Sequence, residues 1–263
     1  MAVRRSRNST NLPRAYAVIP ARFGSTRLPQ KMLLRETGKT LLQHTWEAAM
    51  RARRPLGVVV ATDDERIVRE VESFGGQAVV TSPTCASGTD RVAEVARGLL
   101  TEADILVNVQ GDEPEIDPGA IDRVIELLDD AAGANMSTVA APLRSRDRIG
   151  DPACVKVVFD AHGRALYFSR SAIPYVRDWD EAFLSADPPL FYQHMGLYAY
   201  RRDFLLRLAQ MPPSPLEQAE KLEQLRVLAM GESIRVGVVE RASAGIDTHE
   251  DYAAFVARQR RAA

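Results

Sequence analysis

The sequence predicts an α/β protein: a mostly parallel, mixed sheet with an antiparallel hairpin region added late in the chain. Two observations carry this. From Ala15 to Leu128 short apolar runs alternate with segments of helical periodicity, the rhythm of right-handed βαβ crossovers. After Met136 the strand-like runs follow one another directly, and one pair flanks Asp160-Ala-His-Gly163, a glycine-containing hairpin loop.

In chain order, Ala15 to Ala21 is short, apolar and bounded by Pro20, as suits a buried parallel strand. Thr40 to Arg53 places Leu41, Leu42, Trp46 and Ala49 at helical spacing. Gly57 to Thr62 is the next strand; Asp63 or Asp64 caps a helix that runs to Phe74 and stops at Gly75-Gly76, and Ala78 to Thr81 is a third strand. Val92 to Leu100, Asp104 to Gln110 and Ile121 to Leu128 continue as helix, strand and helix. Ser137 to Leu143, Cys154 to Phe159 and Arg164 to Ser169 read as strands, a meander that offers a surface for subunit contact. Gln193 to Tyr200 is a strand, Pro215 to Met230 one long helix, Ile234 to Val239 a strand and His249 to Arg260 a closing helix. Trp179 to Pro189 is turn-rich. The expected organisation is a disordered tail at 1–13, rich in arginine and poor in apolar residues, followed by one domain over 14–263.

Composition narrows the function. Lys and Arg number 34 against 35 Asp and Glu, a net charge of −1, so no overall field attracts nucleic acid or an anionic membrane. No apolar run approaches the roughly 18 residues of a membrane span. The 2 cysteines, Cys85 and Cys154, match neither a metal spacing nor a disulfide framework and are expected as small core residues in a reducing, cytoplasmic setting. Gly38-Lys39-Thr40 resembles the end of a phosphate-binding P-loop, but the required earlier glycine would fall at Leu33. The dinucleotide fingerprint G-x-G-x-x-G is absent.

Candidate chemistry gathers where strands end. Tyr16-Ala-Val-Ile-Pro-Ala-Arg-Phe-Gly-Ser-Thr-Arg-Leu-Pro-Gln-Lys31 runs from a strand into a loop holding Arg22, Ser25, Arg27 and Lys31. At the carboxyl edge of a sheet such a loop is either a polyphosphate cradle or a basic surface loop. Asp112, in Asn108-Val-Gln-Gly-Asp-Glu-Pro114, leaves the same edge; it is either a magnesium ligand or a turn residue. Asp247, in Gly245-Ile-Asp-Thr-His-Glu-Asp251, is a second candidate carboxylate or an N-cap partnered by Glu250. Ser87 opens a helix, and Gln110 can bond a sugar or base. His194 and Tyr198 share one face of a strand. Lys156, Arg170, Glu223 and Gln224 read from their own residue types as surface groups.

Together these stretches resemble the 3-deoxy-D-manno-octulosonate cytidylyltransferases, or CMP-Kdo synthetases. The matching text is Ile19 to Pro29, Val60 to Asp63, Ser87 to Arg91, Asn108 to Pro114, Ala165 to Arg170 with Ile173-Pro174, His194 to Tyr200, Leu222 to Arg226 and Gly245 to Thr248, in the family's order. The resemblance implies a Rossmann-like nucleotidyltransferase fold of the GT-A kind, usually a homodimer, with transfer of CMP from CTP to Kdo for lipopolysaccharide. It implies that Arg22, Ser25 and Lys31 serve the triphosphate and that Asp112 and Asp247 bind Mg²⁺. It further assigns Ser87 and Gln110 to nucleotide- and sugar-side positions, and Arg170, His194, Tyr198, Glu223 and Gln224 to the sugar-acid pocket. The family's Pro-Gly-Lys-Pro is here Pro29-Gln-Lys-Met32. The rival expectations are a cytidylyltransferase for another acidic sugar, such as a sialic acid or an 8-amino Kdo analogue, and a binding protein without turnover.

Overall fold

The structure, a computed structural model, describes residues 12–25, 27–130 and 133–262; of the expected tail only Leu12 and Pro13 fall among them. In chain order the elements are β1 (Ala15–Ala21), α1 (Leu41–Met50), β2 (Pro55–Thr62), α2 (Glu65–Ser73), β3 (Gln77–Val80), α3 (Gly88–Gly98), β4 (Ile105–Asn108), α4 (Pro118–Asp130) and β5 (Met136–Pro142). There follow α5 (Arg146–Gly150), β6 (Lys156–Phe159), β7 (Ala165–Ser169), β8 (Tyr192–Arg201), α6 (Arg202–Leu208), α7 (Pro215–Glu220), α8 (Gln224–Ala229), β9 (Ile234–Val238) and α9 (His249–Ala262).

The strands join one sheet in the order β3-β2-β1-β4-β8-β5-β9, with the β6–β7 hairpin attached through β8. Every neighbouring pair along this path is parallel except the two that β8 makes, with β4 and with β5. The mixed sheet with its hairpin is the expected architecture. Both faces are covered, so β1 is apolar throughout rather than alternating: Ala17 and Ile19 join the core beneath α1, α2 and α4, while Val18 joins the core beneath α3, α6 and α8. A third cluster seats Tyr252, Phe255 and Val256 of α9 on Leu28 and Leu41, and so ties the C-terminus to the loop after β1.

Four local expectations are corrected. The helix expected over 215–230 is broken: Lys221 adopts a left-handed φ of 53° between α7 and α8. The cause is tertiary, since the Ser169 hydroxyl and the Arg170 N–H donate to the Glu220 carboxylate while the Arg170 guanidinium donates to the Glu220 and Lys221 carbonyls. Lys156 is fully buried rather than solvent-facing, its ammonium donating to the carbonyls of Asp151 and Arg170 at 2.9 and 2.6 Å. Cys154 is buried as expected, but Cys85 is only half-buried and its thiol donates to Glu94. Finally, Thr248 rather than Asp247 caps α9, with Asp251 rather than Glu250 returning the bond.

Between Thr138 and Val139 the β5–β8 register shifts, for Thr138 pairs with Tyr198 and Val139 with Met195. The bulge leaves Gly196 and Leu197 of β8 unpaired to β5, and bulges re-aim side chains beside sites. Thr138 fills it: its Oγ1 lies 3.2 and 2.8 Å from the carbonyls of Met195 and Leu197.

Candidate active site

A cleft of about 390 Å³ opens at the carboxyl ends of β1 and β4 and the N-terminus of α3. Arg22, Ser25, Lys31, Ser87, Gln110, Asp112 and Asp247 all line it, joined by Arg27, Arg91 and Cys85. Three connections bring the loops together. The Ile246 N–H donates to the Asp112 carbonyl at 2.9 Å. Gly111 lies so close to β1 that an added Cβ would meet the Pro20 carbonyl oxygen at 2.9 Å. The Thr45 hydroxyl of α1 donates to the Gly111 carbonyl at 2.9 Å.

At the centre the Lys31 ammonium donates to Asp112 Oδ2 at 2.5 Å, Asp247 Oδ1 at 2.9 Å and the Ile246 carbonyl at 3.1 Å. The Arg27 guanidinium takes the other Asp247 oxygen at 3.0 Å. Because Thr248 and Asp251 cap α9, the Asp247 carboxylate is released from capping duty and faces the cleft. The two acids, 135 positions apart in sequence, converge on one cation. No group of three or more His, Cys, Asp or Glu side chains suits a metal among the described residues; the pair Asp112 and Asp247 is what the cleft offers a cation.

The loop after β1 is held from behind. Asp63 accepts from the Phe23 N–H at 3.3 Å and from the buried Arg91 guanidinium at 3.0 Å, and Arg66 lies 3.4 Å over the Phe23 ring. Nothing local in the sequence foretells this brace, for Asp63 follows β2 while Arg91 belongs to α3.

A second group of side chains adjoins the cleft through Ser87 and Gln110. Glu223 accepts from the Ser87 and Thr89 hydroxyls at 2.9 and 2.7 Å. Burial raises its pKa, the two hydroxyl bonds and Arg226 opposing. The Tyr198 hydroxyl donates to Gln224 at 3.1 Å, and the Gln224 amide nitrogen is buried with no partner among the described residues. Burial also lifts the Tyr198 phenol well above its ordinary value. The His194 ring lies 5.4 Å from Tyr198 and 4.9 Å from Phe168, with Nε2 3.0 Å from the Thr138 hydroxyl. Burial drives its pKa down to about 3, so at neutral pH His194 is an uncharged hydrogen-bonding group. Gln110 reaches the Gly196 carbonyl of the β8 bulge at 3.4 Å.

Arg170 stands apart. Its guanidinium is spent on the carbonyls of Pro152, Glu220 and Lys221, where it holds the α7–α8 break and thereby the position of Glu223. Gln224 is buried, not a surface group. Thr138 was not foreseen; a threonine inside a strand gives no sequence signal of a distant partner.

The sequence model of the family described as Cytidylyltransferase matches residues 16–234. The 3-deoxy-manno-octulosonate cytidylyltransferase of Rhodopirellula baltica is 54% identical over 242 residues, 92% of this chain and 96% of that protein. The chain belongs to the 3-deoxy-manno-octulosonate cytidylyltransferase family. A second cytidylyltransferase of the same description, from Geobacter sulfurreducens, is 50% identical over 240 residues, 89% of this chain and 95% of the relative. Among solved structures, a CMP:2-keto-3-deoxy-manno-octonic acid synthetase complexed with CTP superposes with a TM-score of 0.87 at 40% identity, covering 95% of this chain and all of that one. The mixed α/β architecture of this cytidylyltransferase is therefore that of its family.

Proposed function

We propose that this cytidylyltransferase transfers CMP from CTP to the anomeric hydroxyl of Kdo, releasing pyrophosphate and supplying CMP-Kdo for lipopolysaccharide. One observation carries the reading: a cleft whose cations face two convergent carboxylates adjoins, through Ser87 and Gln110, a cluster of hydrogen-bonding side chains formed by Glu223, Gln224, Tyr198 and His194. In the reaction the hydroxyl oxygen bonds to the α-phosphorus, the bond from that phosphorus to the β-bridging oxygen breaks, and the hydroxyl proton is lost. Such a displacement depends on positioning and charge neutralisation.

Arg22 and Lys31 stabilise charge on the phosphates, and Ser25 and Ser87 orient the nucleotide. Glu223, Gln224, Tyr198, His194 and Gln110 bond the hydroxyls of the sugar; uncharged His194 donates or accepts without attracting the sugar carboxylate. Arg170 serves that pocket by fixing the turn before Glu223. Asp112 and Asp247 suit Mg²⁺, which favours carboxylate oxygens together with substrate phosphates and water. Bound there, the ion would polarise a phosphoryl oxygen and lower the pKa of an oxygen nucleophile.

Pyrophosphate release with CTP and a panel of sugar acids tests the reading. Kdo-dependent release is expected; release with another sugar acid alone would reassign the substrate, and none with any would leave only a binding role. Asp112→Asn should lower turnover about 10²–10³-fold, the range for losing one charge-stabilising contact, with little change in melting temperature. Chelation by EDTA should abolish release, and added Mg²⁺ restore it.

A cytoplasmic setting follows from the CTP requirement, and among the described residues no helix is long and apolar enough to cross a membrane. The homodimer is placed by this reading on the hairpin face, where β6, the turn that follows it and the edge strand β9 line a groove of about 810 Å³ that includes Val157, Phe159, Pro174 and Val238. Val238→Asp should shift the mass in light scattering from dimer to monomer; an unchanged dimer would move the interface elsewhere.

A further inference from the structure

Lys31 stands where the metal reading puts an ion. An ammonium has three donors and no acceptor, and all three donors of Lys31 are used, on Asp112, Asp247 and the Ile246 carbonyl. The side chain is 11% exposed and therefore held, not draped over the surface. Mg²⁺ sits about 2.0–2.1 Å from its oxygens and requires near-octahedral geometry. Nζ lies only 2.5 and 2.9 Å from one oxygen of each acid. An ion shared by those same two oxygens would overlap the ammonium, so lysine and metal are alternative occupants of one position.

The cleft also contains the means of removing the lysine. Among the residues that line it, Arg22, Arg27, Lys31 and Arg91 are cationic, and Asp112 and Asp247 are the acids. Positive charge is in surplus, which favours a polyanion. A triphosphate in the cleft competes with the aspartates for Lys31, and the long flexible stem of a lysine lets its head change partners without moving the backbone. Arg27 behaves alike, since it covers the remaining Asp247 oxygen at 3.0 Å.

We propose that Lys31 keeps divalent metal off the Asp112–Asp247 pair in the free enzyme, and that the nucleotide triphosphate, by drawing the ammonium away, admits the ion. The inference rests on the metal reading above and adds an order to it: the pair binds metal with or after CTP, not before. One side chain then has two roles, neutralising the aspartates when the cleft is empty and the phosphates when it is full. The free enzyme thereby holds no exchangeable metal that could recruit unwanted anions.

The test is Mn²⁺ binding, followed by its electron paramagnetic resonance signal, on the full chain. Wild type without nucleotide should bind Mn²⁺ at least tenfold more weakly than wild type saturated with a non-hydrolysable α,β-methylene CTP, after subtraction of Mn²⁺ held by the analogue in solution. Lys31→Met without nucleotide should bind Mn²⁺ at least tenfold more tightly than wild type, although its turnover is lost. Lys31→Met binding no tighter than wild type overturns the proposal. So does free wild type binding Mn²⁺ as tightly as the loaded enzyme, a comparison that decides even if the variant does not fold. Asp112→Asn separates the two readings: if it leaves Mn²⁺ binding by the loaded enzyme intact, the metal assignment itself falls; if it weakens that binding while Lys31→Met shows no gain, only the exclusion role falls.

Discussion

Replacing His194 by glutamine should alter the pH dependence of stability in a calculable way. The ring is enclosed by Phe168 and Tyr198 and bonded to Thr138, and burial lowers its pKa to about 3, against roughly 6.5 in an unfolded chain. Above pH 6.5 the ring is neutral in both states and pH has no purchase on it. Below pH 6.5 the unfolded chain binds a proton that the folded chain refuses, so stability falls with pH until the folded ring also titrates near pH 3. At about 1.4 kcal/mol per pH unit, going from pH 7.5 to pH 5 costs the folded protein about 2 kcal/mol through this ring alone. Glutamine keeps a polar group near Thr138 but has no proton to bind. Urea unfolding of both proteins at the two pH values should therefore show wild type losing about 2 kcal/mol more than His194→Gln. Equal losses would refute the buried neutral imidazole, and with it the claim that this pocket meets its sugar without a histidine charge.

Two further outcomes follow from packing. Gly111→Ala would drive a methyl group against the Pro20 carbonyl and Met32; overpacking of this kind costs about 1–3 kcal/mol, and because Asp112 is the next residue, turnover should fall with the melting temperature. An alanine variant that keeps full turnover would show that the two strand exits need not be so close. Glu217→Gln would leave the Arg226 guanidinium without the buried carboxylate it grips through Nε at 2.8 Å and a second nitrogen at 2.5 Å. The expected loss in urea unfolding is about 3–5 kcal/mol, largely recovered when Arg226→Met is added; a loss under about 1 kcal/mol would mean the pair is not desolvated.

Much of this was legible in the residues because local chemistry and global placement agree. β1 needed no more than its apolar run and the cations after it, and Asp64 and Ser87 are caps whose side chains bond the helix they open. Arg22 and Asp112 could be named because charged residues just past buried strands emerge at one edge, whereas Lys31 and Asp247 reach it from loops that run well beyond the ends of β1 and β9. What escaped was set by which of several possible partners the fold brings within reach. Nothing in 215–230 forecasts a break at Lys221; the carbonyls freed there are taken by Arg170, which lies two strands' pairing away. Lys156 reads as an outward residue until the carbonyls of Asp151 and Arg170 close over its ammonium. Asp247 and Thr248 are equally good caps on paper, and only the position of Asp251 decides between them.

The reversed strand β8 at the middle of the sheet has a consequence for synthesis of the chain. The first four strands and the pair β5–β9 meet only through β8, which at Tyr192–Arg201 emerges from the ribosome after β1 to β7. Until then β4 and β5 each present an unsatisfied ladder edge, the kind of template that invites pairing with another molecule. Closure must therefore be late and cooperative, and pairings so remote in sequence are slow to form. A nascent chain stalled before residue 192 has a nucleotide loop but no wall for the sugar, and two sticky borders in place of a seam.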